Sequence, residues 1–479
     1  MPDSRLVVVS NRAPVELVRD GGVVGVRRTV GGLASALDDV MRARGGVWVA
    51  WAGTDGAEVL GADVTGLPYP IRAVPLGERD LDQYYGGFAN QVLWPLCHMF
   101  STRCRFDPEF WTGYQRVNER FALATAEVAR TGDVVWVNDF HCCLVPGRLR
   151  AEGVRARIGL FWHIPFPPPS ILGICQWRAE LLGGLLGADL LGFQTLDDVR
   201  RFGDCVRQLL GAPVEEEVAG LRVRAGRRTV RAVALPIGID ARRFAAQAMD
   251  PAVRDEGARL RQALGAEVMM IAVDRLDYTK GIVERLRGFE RFLERRPDWH
   301  RRVCLMQITV PSRFHVPQYR ELKREIDETV GRIVGRFTVG ARSPLVYAYN
   351  AFDHEHLAAH YGAADVALVT PLRDGMNLVA KEYVACHPAG DGVLVLSEFA
   401  GAAHDLEEAV LVNPYEADSV ADAIETAVEM PDAERRHRMQ ALVGRVRLHD
   451  VGWWTSSFLG LLAAGVQPAT GSRSPAAGI

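Results

Sequence analysis

The run Thr370-Pro371-Leu372-Arg373-Asp374-Gly375-Met376-Asn377-Leu378-Val379-Ala380-Lys381-Glu382 concentrates more usable chemistry than any other stretch of the chain. It follows the apolar run Val366–Thr370, so it begins where a strand ends. Asp374-Gly375 makes a tight turn that exposes successive N–H groups ahead of a helix starting near Asn377. Those groups and the positive end of the helix dipole suit a phosphate. Asp374 on the loop and Glu382 two turns into the helix suit hydroxyls at different points of one extended ligand. An N-cap role covers Asp374 but not the whole run.

Further segments sit just past apolar runs. Arg275-Leu276-Asp277-Tyr278-Thr279-Lys280-Gly281 places two cations five residues apart on a loop entering a helix. Arginine can fork onto two oxygens and lysine supplies a point charge, which suits a diphosphate. Gln307-Ile308-Thr309-Val310-Pro311-Ser312-Arg313 adds a third cation. Ser10-Asn11-Arg12 follows the first apolar run. Gly31-Gly32-Leu33 opens a helical pattern; it is not a GxGxxG fingerprint, so nothing in it requires a dinucleotide. Asn138-Asp139-Phe140-His141 and Phe161-Trp162-His163-Ile164-Pro165 each end a buried run. His163 fits either a capped turn or a binding site.

These segments need a scaffold that brings strand ends together. Leu6–Ser10, Val134–Asn138, Ile158–His163 and Leu190–Gln194 are short apolar runs, and Val268–Val273, Val303–Ile308, Val366–Thr370 and Val393–Ser397 repeat the pattern. Strands apolar on both faces, with helical segments between them, indicate parallel sheets covered by helices. Two such series predict an α/β chain of two doubly wound domains, 1–240 and 241–451. Leu235-Pro236-Ile237-Gly238-Ile239-Asp240 forms the boundary, Glu215–Arg231 a small hairpin before it, and 467–479 a disordered tail. A helix over about 452–466 is expected to return to the first domain. Open parallel sheets bind ligands beyond the carboxyl ends of their strands, where these motifs fall.

The 479 residues carry 56 basic and 59 acidic side chains, a net charge of −3. Nucleic-acid binders carry a basic excess, and none is present. No apolar run approaches the ~18–20 residues of a membrane span. Leu6–Val9 is too short for a signal-peptide core, so a cytoplasmic protein without membrane partners is expected. The eight cysteines show no CxxC pair or metal-ligand spacing and read as buried free thiols. Only Lys280, Lys323 and Lys381 are lysines, so each lysine deserves scrutiny.

Taken together, Ser10-Asn11-Arg12, Gly31-Gly32-Leu33, Tyr84-Tyr85, Leu93-Trp94-Pro95, His163–Pro167, Arg275–Gly281 and Arg373–Glu382 resemble the trehalose-6-phosphate synthase family, over about residues 5 to 465. The resemblance implies a GT-B fold, two Rossmann-like domains facing across a catalytic cleft, with no metal or cofactor. It implies transfer of glucose from a nucleotide donor, UDP-glucose or GDP-glucose, to glucose 6-phosphate with retention of the α configuration. It places Arg12, Tyr85, Trp94, Asp139 and Arg313 at the acceptor. At the donor it places Gly32, Arg275, Lys280, Asp374, Gly375, Met376, Asn377, Leu378 and Glu382. His163 would face the transferred glucose and, with Arg275, Lys280 and Asp374, make up the catalytic set. A homo-oligomer is left open.

Arg342, in Gly340-Ala341-Arg342-Ser343-Pro344-Leu345, stands where a familiar bacterial form has Trp. A fork from Arg onto guanine would favour GDP-glucose. Two alternatives are weighed: a relative using another phosphorylated acceptor, such as a glucosylglycerol-phosphate synthase, and an inactive sugar-phosphate-binding subunit. The intact Arg275, Lys280 and Asp374 disfavour the second. No spare carboxylate serves as a covalent nucleophile. Attack from the face of the departing diphosphate is therefore expected, with the leaving phosphate taking the acceptor's proton.

Overall fold

The computed structural model describes residues 4–20, 23–28, 32–53, 59–61, 65–312 and 317–465. Contacts divide the chain into two units: residues up to Leu235 together with those from Thr455 onward, and Pro236–Trp454.

The first unit holds β1 (Leu6–Arg12), β2 (Val15–Asp20), β3 (Val23–Arg28), β4 (Val47–Trp51), β5 (Val59–Leu60) and β6 (Ile71–Ala73). It continues with β7 (Val134–Asn138), β8 (Arg157–Phe161), β9 (Leu190–Phe193), β10 (Val214–Glu217), β11 (Gly220–Ala225) and β12 (Arg228–Ala234). Its main sheet has the order β10-β11-β12-β9-β8-β7-β1-β4-β6-β5, while β2 and β3 pair separately. The strands from β12 through β6 are parallel. Val7, Val8 and Val9 are wholly buried, as a strand covered on both faces requires. The expected hairpin over Glu215–Arg231 is instead a three-strand meander. Its last strand, β12, joins β9 in parallel, which covers an edge that a free hairpin would leave open.

Helix Val451–Ala464 packs its C-terminal part into the first unit. The Phe458 ring stacks on Trp136 at 5.0 Å and meets Phe161 at 5.6 Å. Gly159 and Gly192 make room for it, since a Cβ on either would lie under 3 Å from the ring.

The second unit is one parallel sheet of β13 (Val268–Arg275), β14 (Val303–Val310), β15 (Leu345–Ala348), β16 (Val366–Val369), β17 (Val393–Ser397) and β18 (Val410–Val412). Their order is β15-β14-β13-β16-β17-β18. The chain winds outward from β13 to β15, then returns to the far side of β13. The switch point therefore lies between β13 and β16, as it lies between β1 and β7 in the first unit. Ligands of doubly wound sheets bind at such points.

Among the described residues, no helix is long and apolar enough to cross a membrane. All eight cysteines are free, and all but Cys104 are buried.

Candidate active site

In the second unit, Arg275 ends β13 on the surface, and a short turn over Tyr278–Lys280 follows. Asp277 sets that turn by accepting from the Thr279 N–H (3.0 Å) and the Tyr319 hydroxyl (3.2 Å). Gly281 then takes a left-handed φ of +63° and lies against the Thr370 carbonyl, where a side chain would collide. This approach brings the β13 and β16 loops together. Lys280 Nζ pairs with Asp374 Oδ2, which also accepts from the Asn377 side-chain amide at 3.2 Å. The sequence sets Lys280 against the phosphates of the donor and Asp374 against its hydroxyls; the structure also pairs the two side chains with each other. A lysine ammonium has three donors, so the pairing leaves it capacity for an anion.

The Asp374–Asn377 turn is held from behind. The Asp374 carbonyl accepts from Gly401 N–H at 3.0 Å and the Met376 carbonyl from Ala402 N–H at 2.9 Å. The amides of Gly375, Met376 and Asn377 find no backbone partner among the described residues. Asn377, at a left-handed φ of +76°, caps helix Leu378–Ala385. Glu382 on that helix accepts from the Tyr361 hydroxyl at 3.1 Å. Burial pushes its carboxyl up to about 7, against the pull of that hydrogen bond.

Arg285, which the motif reading passed over, ties these loops from below. Fully buried, it pairs with Asp274 at 2.5 Å and donates to Thr370 Oγ1 (2.9 Å), Gln307 Oε1 (3.0 Å) and the Lys280 carbonyl (3.2 Å). One guanidinium thus joins the ends of three strands. The available signal was an arginine on the apolar stripe Ile282, Leu286, Phe289 and Leu293.

In the first unit, the β1 register shifts between Val9 and Arg12, re-aiming the strand end. The Arg12 guanidinium lies near two rings, 5.2 Å from the Trp51 centroid and 5.4 Å from that of Tyr85. Cation–π contact with two rings holds the guanidinium in place. Tyr85 in turn stacks on His141 at 5.7 Å. Tyr85 stands on a π-helix, Leu81–Leu93, whose wide turns are stapled by side chains: Asn90 donates to the Tyr85 carbonyl (2.6 Å) and Gln91 to that of Gly86 (2.9 Å). Nothing in the sequence reading signalled this helix.

Asp139 has a φ of +74° at the end of β7. Its Oδ1 accepts from the Phe140 N–H (2.9 Å) and the His163 N–H (3.4 Å), and its Oδ2 lies 3.5 Å from His141 Nδ1. Burial would raise this carboxyl; the hydrogen bond and charge of His141 outweigh it and hold the group below the usual carboxylate range. The His163 ring nitrogens meet Asn138 Oδ1 (3.3 Å) and the Gln194 amide (3.4 Å). Burial pushes this imidazole down to about 4, so it is neutral at pH 7. Trp94 is buried, its ring centroid 6.0 Å from that of Phe140. Gly32 opens helix Gly32–Arg44. Arg313 lies outside the described residues. No cluster of His, Cys, Asp or Glu among the described residues is arranged to hold a metal.

Both sets and both sheets fall within residues 4–464, which a family model, Glycosyltransferase family 20, matches. The chain belongs to this family. It is an α/β protein of the GT-B class and a glycosyltransferase. It is 42% identical over 485 residues to the trehalose-6-phosphate synthase of Mycolicibacterium smegmatis, covering 99% of this chain and 96% of that one. It is 42% identical over 469 residues to a bifunctional trehalose-6-phosphate synthase/phosphatase of Thermoproteus tenax, covering 95% of this chain but only 63% of that relative. A crystal structure from Burkholderia xenovorans, of an alpha,alpha-trehalose-phosphate synthase (UDP-forming) in complex with glucose-6-phosphate, aligns with TM-score 0.88 at 37% identity, covering 96% of this chain and 100% of that one.

For this family member, one expectation needs correction. Arg342 precedes β15 and donates to the carbonyl of Arg301, which precedes β14 (3.4 Å). Both lie at the N-terminal edge of the parallel sheet, whereas the Lys280 and Asp374 loops leave its C-terminal edge. Arg342 is thus on the wrong edge to read the base of a nucleotide held there, and the case for guanine falls.

Proposed function

We infer that the chain transfers glucose from UDP-glucose to glucose 6-phosphate, with retention, to give α,α-trehalose 6-phosphate. The observation that carries this is the family match across both units, joined to a structural relative that is UDP-forming and binds glucose-6-phosphate. Nothing observed favours another phosphorylated acceptor or an inactive subunit.

The second unit takes the donor. Arg275, Lys280 and the amides of Gly375, Met376, Asn377 and Leu378 receive the diphosphate. Asp374 meets glucose hydroxyls and Glu382 the ribose, and Gly32 is assigned to the donor phosphates. The first unit takes the acceptor: Arg12 and Arg313 hold its phosphate with Tyr85, Trp94 lines the sugar site, and Asp139 accepts from its hydroxyls. Placing charge where charge accumulates on the leaving diphosphate is the electrostatic stabilisation that dominates many enzymes. His163 orients the transferred glucose. Its low proton affinity and its contacts with Asn138 and Gln194 suit a fixed neutral ring rather than a base. The acceptor attacks from the face that the diphosphate leaves, and a departing phosphate oxygen takes its proton. The partners are these small molecules. We place the enzyme in the cytoplasm, working without a resident metal or cofactor.

The test is a panel of UDP-, GDP- and ADP-glucose against glucose 6-phosphate and glycerol 3-phosphate. The expected product is a non-reducing disaccharide phosphate formed best from UDP-glucose and glucose 6-phosphate. Faster turnover with glycerol 3-phosphate would overturn the acceptor, and faster turnover with GDP-glucose the donor. Trapping a covalent glucosyl-enzyme with a slow fluorinated donor would overturn the mechanism.

A further inference from the structure

Lys381, one of only three lysines, has no part in the chemistry above. It sits beside Glu382 in helix Leu378–Ala385, with its side chain fully buried. An ammonium survives in such a place only when it is paired and hydrogen-bonded. Its Nζ donates to Asp405 Oδ2 at 2.9 Å and to the Ile237 carbonyl at 3.0 Å. The other Asp405 oxygen lies 2.7 Å from His449 Nδ1, and the His449 ring packs on Trp453 with centroids 4.6 Å apart. The segments reached are themselves joined. Val451 N–H donates to the Ile239 carbonyl at 3.1 Å, and Gly238 lies against the backbone of His449 and Asp450, where a Cβ has no room.

These two segments have a special place in the chain. The chain passes from the first unit to the second at Leu235–Pro236 and back at Trp454–Thr455. Both crossings therefore adjoin one buried polar cluster, anchored on the helix that carries Glu382. Packing alone could be served by an apolar side chain of similar volume. A hydrogen-bonded ion cluster instead fixes the mutual orientation of the groups it joins.

We propose that Lys381 is a positioning residue that couples occupancy of the nucleotide-sugar site to the two segments through which the chain crosses between its units. Diphosphate on the amides at the helix N-terminus and ribose on Glu382 bear on a single rigid helix. Any shift of that helix passes through Lys381 to the Ile237 carbonyl, and through Asp405 to His449. This rests on helix Leu378–Ala385 being the donor helix.

The experiment is amide hydrogen exchange with and without UDP-glucose on the intact protein. In the wild type, UDP-glucose is expected to slow exchange at 374–382 and also at 236–240 and 449–454. The variant Lys381→Met/Asp405→Leu removes both charges, so no unpaired ion is left buried. It should keep protection at 374–382 and lose it at both crossing segments. His449→Phe leaves the Lys381–Asp405 pair and the Val451–Ile239 bond intact, so it should reduce protection at 449–454 while sparing 236–240; it decides the matter if the double variant does not fold. Undiminished protection at 449–454 in folded His449→Phe overturns the proposal, as does a wild type protected at 374–382 but at neither crossing. Absence of protection at 374–382 overturns the donor reading, and the proposal with it.

Discussion

In the first unit, the polar groups offered to a ligand are side chains gathered from β1, the π-helix and the ends of β7 and β8, held by ring contacts at Arg12 and Tyr85 and by hydrogen bonds at Asp139 and His163. In the second, most are backbone amides and two carboxylates on one contiguous run, held by an ion pair and by a buried arginine beneath it. A sugar phosphate needs hydroxyl contacts at several bearings, which only scattered side chains supply. A diphosphate needs concentrated positive potential, which one turn at a helix N-terminus supplies cheaply. The two constructions should fail differently when single residues are removed.

The largest effect is expected at Arg285. Replacing it with Met leaves Asp274 buried without its partner, and breaking such a pair costs about 3–5 kcal/mol. Urea unfolding followed separately in each unit should show the loss confined to the second. An equal loss in the first would mean that the contrast between the units is not one of local support. Lys280→Ala comes next. Removing a group that stabilises transition-state charge costs about 2.7–4 kcal/mol, or roughly 10²–10³ in turnover. Steady-state kinetics should show kcat falling, with the glucose 6-phosphate KM little changed. A variant that loses acceptor affinity instead would assign Lys280 to the other ligand. Arg12→Ala should do the reverse. It removes a charge-assisted contact of about 1.5–3 kcal/mol, so acceptor KM should rise about 10–150-fold with donor KM unchanged. Trp51→Ala tests the stacking. If the rings hold Arg12 in place, it should raise the same constant by a smaller factor.

The same contrast explains what could be read from the sequence. The Arg373–Glu382 run was legible because its amides, its cap and its carboxylates are consecutive, and local turn chemistry dictates their arrangement. Strands buried on both faces were legible from their unbroken apolar runs. The pairing of Lys280 with Asp374 was not, because it depends on β13 and β16 being neighbours across the switch point, which sequence separation hides. Nor was the π-helix under Tyr85, whose widened turns rest on Asn90 and Gln91 reaching particular carbonyls. Arg342 misled because proximity in sequence to Pro344-Leu345 says nothing about which edge of the sheet a residue occupies.

The smallest effect concerns Glu382 and its pH dependence. Its carboxyl, raised by burial to about 7, is protonated in the folded state over a range where the unfolded chain has it ionised. The stability this group contributes is therefore present below its unfolded value and lost as pH rises through about 7. Ribose hydroxyls, by contrast, are held better by the ionised form, because hydrogen bonds to charged groups are the stronger ones. The two requirements oppose each other, so UDP-glucose should raise Tm more at pH 8 than at pH 6. Calorimetric titration with UDP-glucose alone, whose diphosphate diester does not titrate there, should show affinity falling as pH drops through about 7. Tyr361→Phe sharpens the test. It removes the hydrogen bond that favours the carboxylate, worth about 1.5 kcal/mol, which moves the midpoint about one pH unit upward. Acceptor affinity, which we assign to Arg12 and Asp139 in the other unit, should keep its own pH profile in that variant. A midpoint unmoved by Tyr361→Phe would mean that Glu382 does not govern the donor's pH dependence.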